Sequence, residues 1–393
     1  MTENLDAPLS PPANALTAER KSAPESIFTG DSGGAPSGAT TYARMIVPNE
    51  RTVSDDGPTL FVRMDRLGDL TLSLPADALY PETDGERCVD WWISEGLGFV
   101  ADHAVPRRRV REMKAKVTQA EFKRLLRELK ERKYKTAVVF HAPWWVSPLL
   151  WLARIPNRVG VRSQWHSFLF FNKGVRQKRS LAETSEFEYN MRVIDSMTAE
   201  SEKIERLPLK LKVDPEWQMT TLKKHGLTHR KYSVVHPGMA GSARNWPTSH
   251  YISWLQEASK DTKIVVTGTA TDETILQPIR QALQGAQNIE WLDSKLTGAQ
   301  LLHVLEGAIC VLAPSTGVAH LAASLGRPVI GIYSPVKVQH PTRWAPQGEA
   351  VQILVPEVEC PGKKACVGST CPQFDCMNRI SLESVRSLWS ALH

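Results

Sequence analysis

The chain has 393 residues, 42% of them apolar and 23% charged, a balance expected of a soluble globular protein long enough for two ordinary domains. No apolar run reaches the ~20 residues that a bilayer-spanning helix requires, and the opening residues lack a basic segment followed by an apolar core, so no secretory signal is expected. The net charge of +6 is concentrated in Arg107, Arg108, Arg109, Arg111, Lys114 and Lys116, a cluster suited to phosphates, an acidic glycan or an anionic membrane surface, or else a solvated loop; it lacks the interleaved aromatics and motifs of a nucleic-acid binder.

Residues 1–57 are rich in Ser, Thr, Pro, Ala and Gly. They bury too little apolar surface to offset the entropy of ordering and read as a disordered tail. The fold is expected to begin with a strand at Thr59–Arg63, running through a glycine-containing turn into a helix, with Asp65, Arg66 and Asp69 around Gly68. A strand at Arg87–Trp92 follows. Val117–Lys133 is the clearest amphipathic helix, with Phe122, Leu125, Leu126 and Leu129 at i, i+3, i+4 and i+7. Strands are expected at Thr136–Phe140 and Arg158–Arg162. Between them Trp144, Trp145, Trp151, Leu149 and Leu150 read either as a core helix or as a surface for a lipid-linked acceptor or the membrane interface. Residues 163–182 read as a loop on the acceptor side and Glu186–Met197 as a helix. The pattern weakens over 207–228, where an interdomain linker is expected. The domains are accordingly 58–212 and 213–393.

The second half alternates more regularly. Strands are expected at Tyr232–His236, Lys263–Val266, Asn288–Leu292, Cys310–Ala313 and Pro328–Tyr333, with helices at Ser249–Ser259, Asp272–Leu283, Thr297–Gly307, Val318–Leu325 and Ser381–Leu392. This is the pattern of a doubly wound, Rossmann-like domain. Ser315-Thr316-Gly317 joins a buried strand to a helix at the position where α/β sheets bind ligands, and its hydroxyls are placed to cap that helix. Exposed amides at such a helix start favour an anion, most simply a phosphate. Cys360, Cys366, Cys371 and Cys376 are bunched without a close CxxC pair, so free thiols rather than a metal centre are expected.

The motifs FVRMDRLGDLTLSLPA, HPGMAGSARNWP, VVTGTATDE, STGVAHLAASLGRPVIGIYSP and CMNRISLESV, in this order, resemble the heptosyltransferases of lipopolysaccharide core synthesis, glycosyltransferase family 9. The likeness runs over roughly residues 58–393. It implies a GT-B fold, two Rossmann-like domains facing across a cleft, with the final helix crossing back to the first. It also implies an inverting, metal-independent transfer of a heptose or similar sugar from ADP-heptose, with no cofactor and no bound metal. The acceptor would be an acidic, lipid-linked lipopolysaccharide core glycan. The enzyme would work in the cytoplasm, in peripheral contact with the inner face of the inner membrane.

By the same resemblance, Asp69 is the candidate catalytic base. Arg244 is the candidate diphosphate cation, standing where relatives commonly carry lysine, and Glu273 the candidate nucleoside contact. Ser315, Thr316, Gly317 and His320 are the remaining donor-side candidates, while Arg63, Arg66, Arg107 and Arg109 are the acceptor-side cations. Ser315 departs from the family, where many relatives carry aspartate. Two rivals therefore stay open: a sugar-nucleotide epimerase on the same scaffold, and a non-catalytic nucleotide- or glycan-binding relative.

Overall fold

Strand β1 (Thr59–Arg63) is buried along its whole length, the mark of a central strand in a covered parallel sheet. The computed structural model describes residues 57–197 and 206–393, so the expected tail lies outside the described residues except for Gly57. After β1 come β2 (Glu82–Thr83), β3 (Glu86–Ser94), β4 (Ala104–Val105), β5 (Arg107–Met113), β6 (Thr136–His141), β7 (Asn157–Val161) and β8 (Lys173–Val175). The first sheet has the order β2-β3-β1-β6-β7-β8, with β5 paired to β3, and only β2 runs antiparallel. The helix expected from periodicity is Gln119–Arg132. Thr118 and Glu121 close a capping box at its start, and Leu125 and Leu129 are buried.

The second sheet is wholly parallel. It comprises β10 (Tyr232–Val235), β11 (Lys263–Val266), β12 (Ile289–Trp291), β13 (Val311–Pro314), β14 (Val329–Ile332) and β15 (Val351–Leu354), in the order β12-β11-β10-β13-β14-β15. The order reverses at β10, the switch point where doubly wound sheets open a crevice. β15 is a sixth strand beyond the five expected, half-buried at the sheet edge and weakly apolar.

Four expectations need correction. The basic cluster is partly strand: β5 alternates, burying Arg108 and Met113 while Arg107 and Arg109 face out. Arg108 is tolerated inside because its guanidinium grips both oxygens of buried Asp77, at 2.9 and 3.0 Å. The span 207–228 is not a plain linker. Its β9 (Lys210–Leu211) pairs with β4, and helix Pro215–Lys224, capped by Asp214, packs on helix Gly298–Gly307. The stretch 163–182 is not all loop either, for it holds helix Trp165–Phe170 and β8. Finally, helix Leu382–Ser390 packs on helix Thr248–Ala258 and beside β14 and β15, rather than returning to the first domain. Val385 and Trp389 join the second domain's core, and Trp389 meets Trp254 edge-on at 4.6 Å.

Candidate active site

The carboxyl ends of β1, β10, β11 and β13 face a cleft of about 890 Å³. On the second-domain wall, β13 runs through Ser315 and Thr316 into helix Gly317–Ser324. Thr316 is the N-cap residue, yet its side chain makes no capping bond, contrary to expectation. Its hydroxyl and the first helical amides, which have no carbonyl one turn behind them, are left for a ligand. Ser315, Thr316, Gly317 and His320 all line the cleft. His320 is buried, which pushes its pKa down to about 4, and its Nδ1 has no partner. It is therefore a neutral imidazole with a polar atom still to satisfy.

Asp272 organises the rest of this wall. Its Oδ2 accepts from the Thr269 amide at 2.9 Å and the Thr269 hydroxyl at 2.7 Å, while Oδ1 accepts from the Ala240 amide at 3.1 Å. The loops after β10 and β11 are thereby tied together. A Cβ at Gly238 would stand 2.1 Å from the Asp272 carboxyl carbon, so only glycine lets these loops close. Burial opposes ionisation of Asp272, but the Thr269 and Ala240 hydrogen bonds hold its pKa below the usual carboxylate range. His236, buried beside it and bonded to the Thr267 hydroxyl at 3.0 Å, is pushed down to about 4 by burial. Replacing Asp272 with Ala removes three hydrogen bonds to a charge and should free the 237–243 loop. Steady-state kinetics should show the donor KM rising on the order of tenfold or more, with kcat less affected.

On the first-domain wall, β1 turns through Met64, Asp65 and Arg66 into helix Leu67–Thr71, which packs against helix Gly317–Ser324. Gly68 permits this approach, since a Cβ there would lie 2.9 Å from the His320 ring. Asp69 lines the cleft and also an adjoining polar recess of about 300 Å³. Arg63 engages its Oδ1, while Oδ2 takes no hydrogen bond among the described residues. Burial raises its pKa to about 6, Asp65 and Glu186 add to the rise, and Arg63 opposes it. A carboxylate so tuned is ionised at neutral pH and basic enough to accept a proton.

Behind Asp69 lies a buried charge network. Arg63 also bonds Asp65 at 2.7 Å and Glu186 at 3.4 Å. Glu186 further accepts from Arg179 and, across the domains, from Arg343 at 2.9 and 3.0 Å. Burial opposes ionisation of Glu186, but Arg179, Arg63 and Arg343 together hold its pKa below the ordinary glutamate range.

The structure thus gathers Asp69, Arg66, Ser315, Thr316, Gly317 and His320 around one cleft. Arg63 sits behind it, wholly buried, lining only the polar recess. The other candidates lie elsewhere. Arg244 donates to Cys366 Sγ at 3.4 Å and the Phe374 carbonyl at 2.6 Å, with its guanidinium 4.6 Å over the Phe374 ring. It faces the loop where the four bunched cysteines, all free thiols, surround a small cavity. Glu273 pairs with Arg280 at 3.1 Å outside the cleft, and its neighbour Asp272 holds the inward position. Arg107 and Arg109, exposed on β5, pair with Asp102, Glu86 and Asp90. Sequence reasoning missed Asp272, His236, Glu186, Arg343 and Lys364; only the first two sat inside motifs it had marked.

Two mainly parallel α/β sheets opening on one cleft, with a helix start and a tuned carboxylate lining it, are the arrangement of a GT-B fold. The model of glycosyltransferase family 9 (heptosyltransferase) matches residues 122–373, and the chain belongs to that family. A putative glycosyltransferase of Haemophilus influenzae is 25% identical over 296 residues, covering 73% of this chain and 85% of the relative. Lipooligosaccharide heptosyltransferase 2 of the same organism is 26% identical over 159 residues, 38% of this chain and 45% of that protein. In fold, the chain matches E. coli ADP-heptose lps heptosyltransferase II with a TM-score of 0.69 at 19% identity, covering 85% of this chain and 98% of that one. It matches E. coli heptosyltransferase WaaC with ADP at 0.61 and 18%, covering 86% and 100%.

Proposed function

We propose that the enzyme transfers a heptose, or a closely similar sugar, from ADP-heptose to a hydroxyl of an acidic, lipid-linked lipopolysaccharide core glycan, inverting the anomeric carbon. The observation that carries this reading is the position of Asp69, which faces both the nucleotide-sized cleft and the separate polar recess on the first domain. An acceptor in the recess presents its hydroxyl to Asp69, and the donor in the cleft presents its anomeric carbon to that hydroxyl. The acceptor oxygen bonds to the anomeric carbon as the carbon–oxygen bond to the diphosphate breaks. The electron pair leaves with ADP, and the proton passes to Asp69. Ser315 leaves no carboxylate beside the leaving diphosphate, and the Thr316 hydroxyl and first helical amides favour its charge.

Arg66, expected on the acceptor side, lines the cleft with Lys364, neither with a carboxylate partner among the described residues, and in this reading both supply cations for the diphosphate. With those charges and the helix amides in place, transfer in this reading is metal-independent and uses no cofactor. Leu292, Leu296, Leu301 and Phe99 form an apolar end of the cleft that suits the nucleobase. The site of action is cytoplasmic, at the inner face of the inner membrane. No helix among the described residues is long and apolar enough to cross a membrane. The donor assignment is tested by single-turnover transfer with ADP-heptose against ADP-glucose, UDP-glucose and GDP-mannose. ADP-heptose should react fastest by at least an order of magnitude, about 1.4 kcal/mol of discrimination; equal or faster transfer from a uridine or guanosine donor would refute it.

A further inference from the structure

We propose that Cys366 is a peroxide-reactive thiol that closes a reversible disulfide within the cluster of Cys360, Cys366, Cys371 and Cys376, and that this bond sets the position of Lys364 in the cleft. The four cysteines are free thiols lining a single cavity of about 10 Å³, room for about one water molecule, so little separates them. Cys366 is the one prepared to react. Its Sγ accepts from the Gly368 amide and from Arg244 Nη1, both at 3.4 Å. The Gly368 bond first, then Arg244, hold its pKa below the usual thiol range although burial opposes them. Cys371 has an amide donor, Gln373 at 3.3 Å, but Cys366 is the thiol that the guanidinium reaches. Cys376 is buried, which pushes its pKa up, whereas Cys366 is only half-buried and open to a small oxidant. The Arg244 cation beside Cys366 opposes a metal ion there, and no group of three or more such ligands among the described residues is set to hold one.

The step needs hydrogen peroxide as oxidant. The Cys366 thiolate attacks one peroxide oxygen, the O–O bond breaks, and the other oxygen leaves as water once protonated. A facing thiol then attacks the sulfur of the resulting sulfenic acid, the S–S bond forms, and the second oxygen leaves as water. Two thiols lose two electrons and the peroxide gains them. In a reducing compartment such a bond is transient, which suits a switch rather than a staple.

The cluster is joined to the donor side. Cys360 and Cys366 bracket a turn so tight that a Cβ at Gly362 would stand 2.5 Å from the Ala365 carbonyl oxygen. Lys364, within that turn, lines the cleft, as do Ala240, Ser242 and Ala243 of the loop that ends in Arg244. A disulfide at Cys366 draws its sulfur from Arg244 and shifts the chain two residues from Lys364. The consequence for the donor rests on the proposed function; the disulfide itself does not.

The test is titration of the reduced full chain with hydrogen peroxide, read by free-thiol count and peptide mass mapping. Wild type should lose two of its six thiols, in a disulfide that contains Cys366 and that dithiothreitol reverses. Cys366→Ser should keep all its remaining thiols under the same exposure, and Arg244→Gln should form the bond roughly tenfold more slowly as thiolate is lost. In calorimetry, oxidation should weaken ADP binding about tenfold, the worth of one charge-assisted hydrogen bond, and Lys364→Ala should remove that difference. A disulfide without Cys366, oxidation of all six thiols at one rate, stoichiometric zinc holding the cluster unreactive, or an ADP affinity indifferent to oxidation would overturn the inference. Mapping needs no donor, so failure of the transferase assignment would leave the disulfide result readable.

Discussion

Asp69→Asn should lower kcat by about 10²–10⁴-fold, the range that a positioned base contributes, while ADP binding measured by calorimetry stays within a few-fold of wild type. Asparagine keeps the size of the side chain and an oxygen for Arg63, but it accepts no proton from an attacking hydroxyl. The pH profile supplies an independent check. Asp69 has its pKa raised to about 6, chiefly by burial, and only the ionised form is a base. Wild-type kcat/KM should therefore fall as the pH drops through about 6, and the residual activity of the variant should lose that limb. His236 and His320, both pushed down to about 4, do not compete as the source of a limb near 6.

Glu186→Gln should be the most damaging change outside the cleft. The carboxylate is fully buried and holds Arg63, Arg179 and Arg343 at once, the last from the other domain. Removing one partner from a buried pair costs about 3–5 kcal/mol, because the remaining charges stay desolvated. Urea unfolding should show a loss of that order. Its pH dependence follows from the depressed folded pKa of Glu186. The stabilisation is present above the unfolded glutamate value, about 4.3, and is lost as pH falls toward the lower folded value. The gap between wild type and variant should therefore narrow in acid. Glu186 also contributes to the raised pKa of Asp69, so the acid limb of the variant's kcat/KM should move below about 6. A residue that only supported folding would leave that limb in place.

How much of this was legible in the sequence depended on the range of the interactions. β1, the helix Gln119–Arg132 and the second sheet's alternation are written in local periodicity, burial runs and caps, and they stand within a residue or two of expectation. β5 was hidden because one of its two buried residues is an arginine, made acceptable by Asp77 thirty-one positions away. The same limit governs the site. Asp69 and Ser315–His320 sit in motifs at strand ends, the place where α/β sheets bind ligands, so their position at the cleft was legible. The motif points to Glu273, but adjacent residues at a helix start point in different directions, and the Ala240 and Thr269 amides that single out Asp272 are not visible in sequence. Arg244 looked free in sequence, but Phe374 and Cys366 claim its guanidinium from over a hundred residues away. Glu186 and Arg343 carry no local signal, since their partnership spans 157 positions and exists only once the domains meet.

The most direct test of the account is the rate of ADP release from ADP-heptose with and without a heptose-deficient lipopolysaccharide core acceptor. Transfer across the cleft predicts release that depends on the acceptor and saturates with it, stoichiometric with sugar incorporated. Release at the same rate without acceptor, or tight ADP-heptose binding with no release in the acceptor's presence, would contradict it.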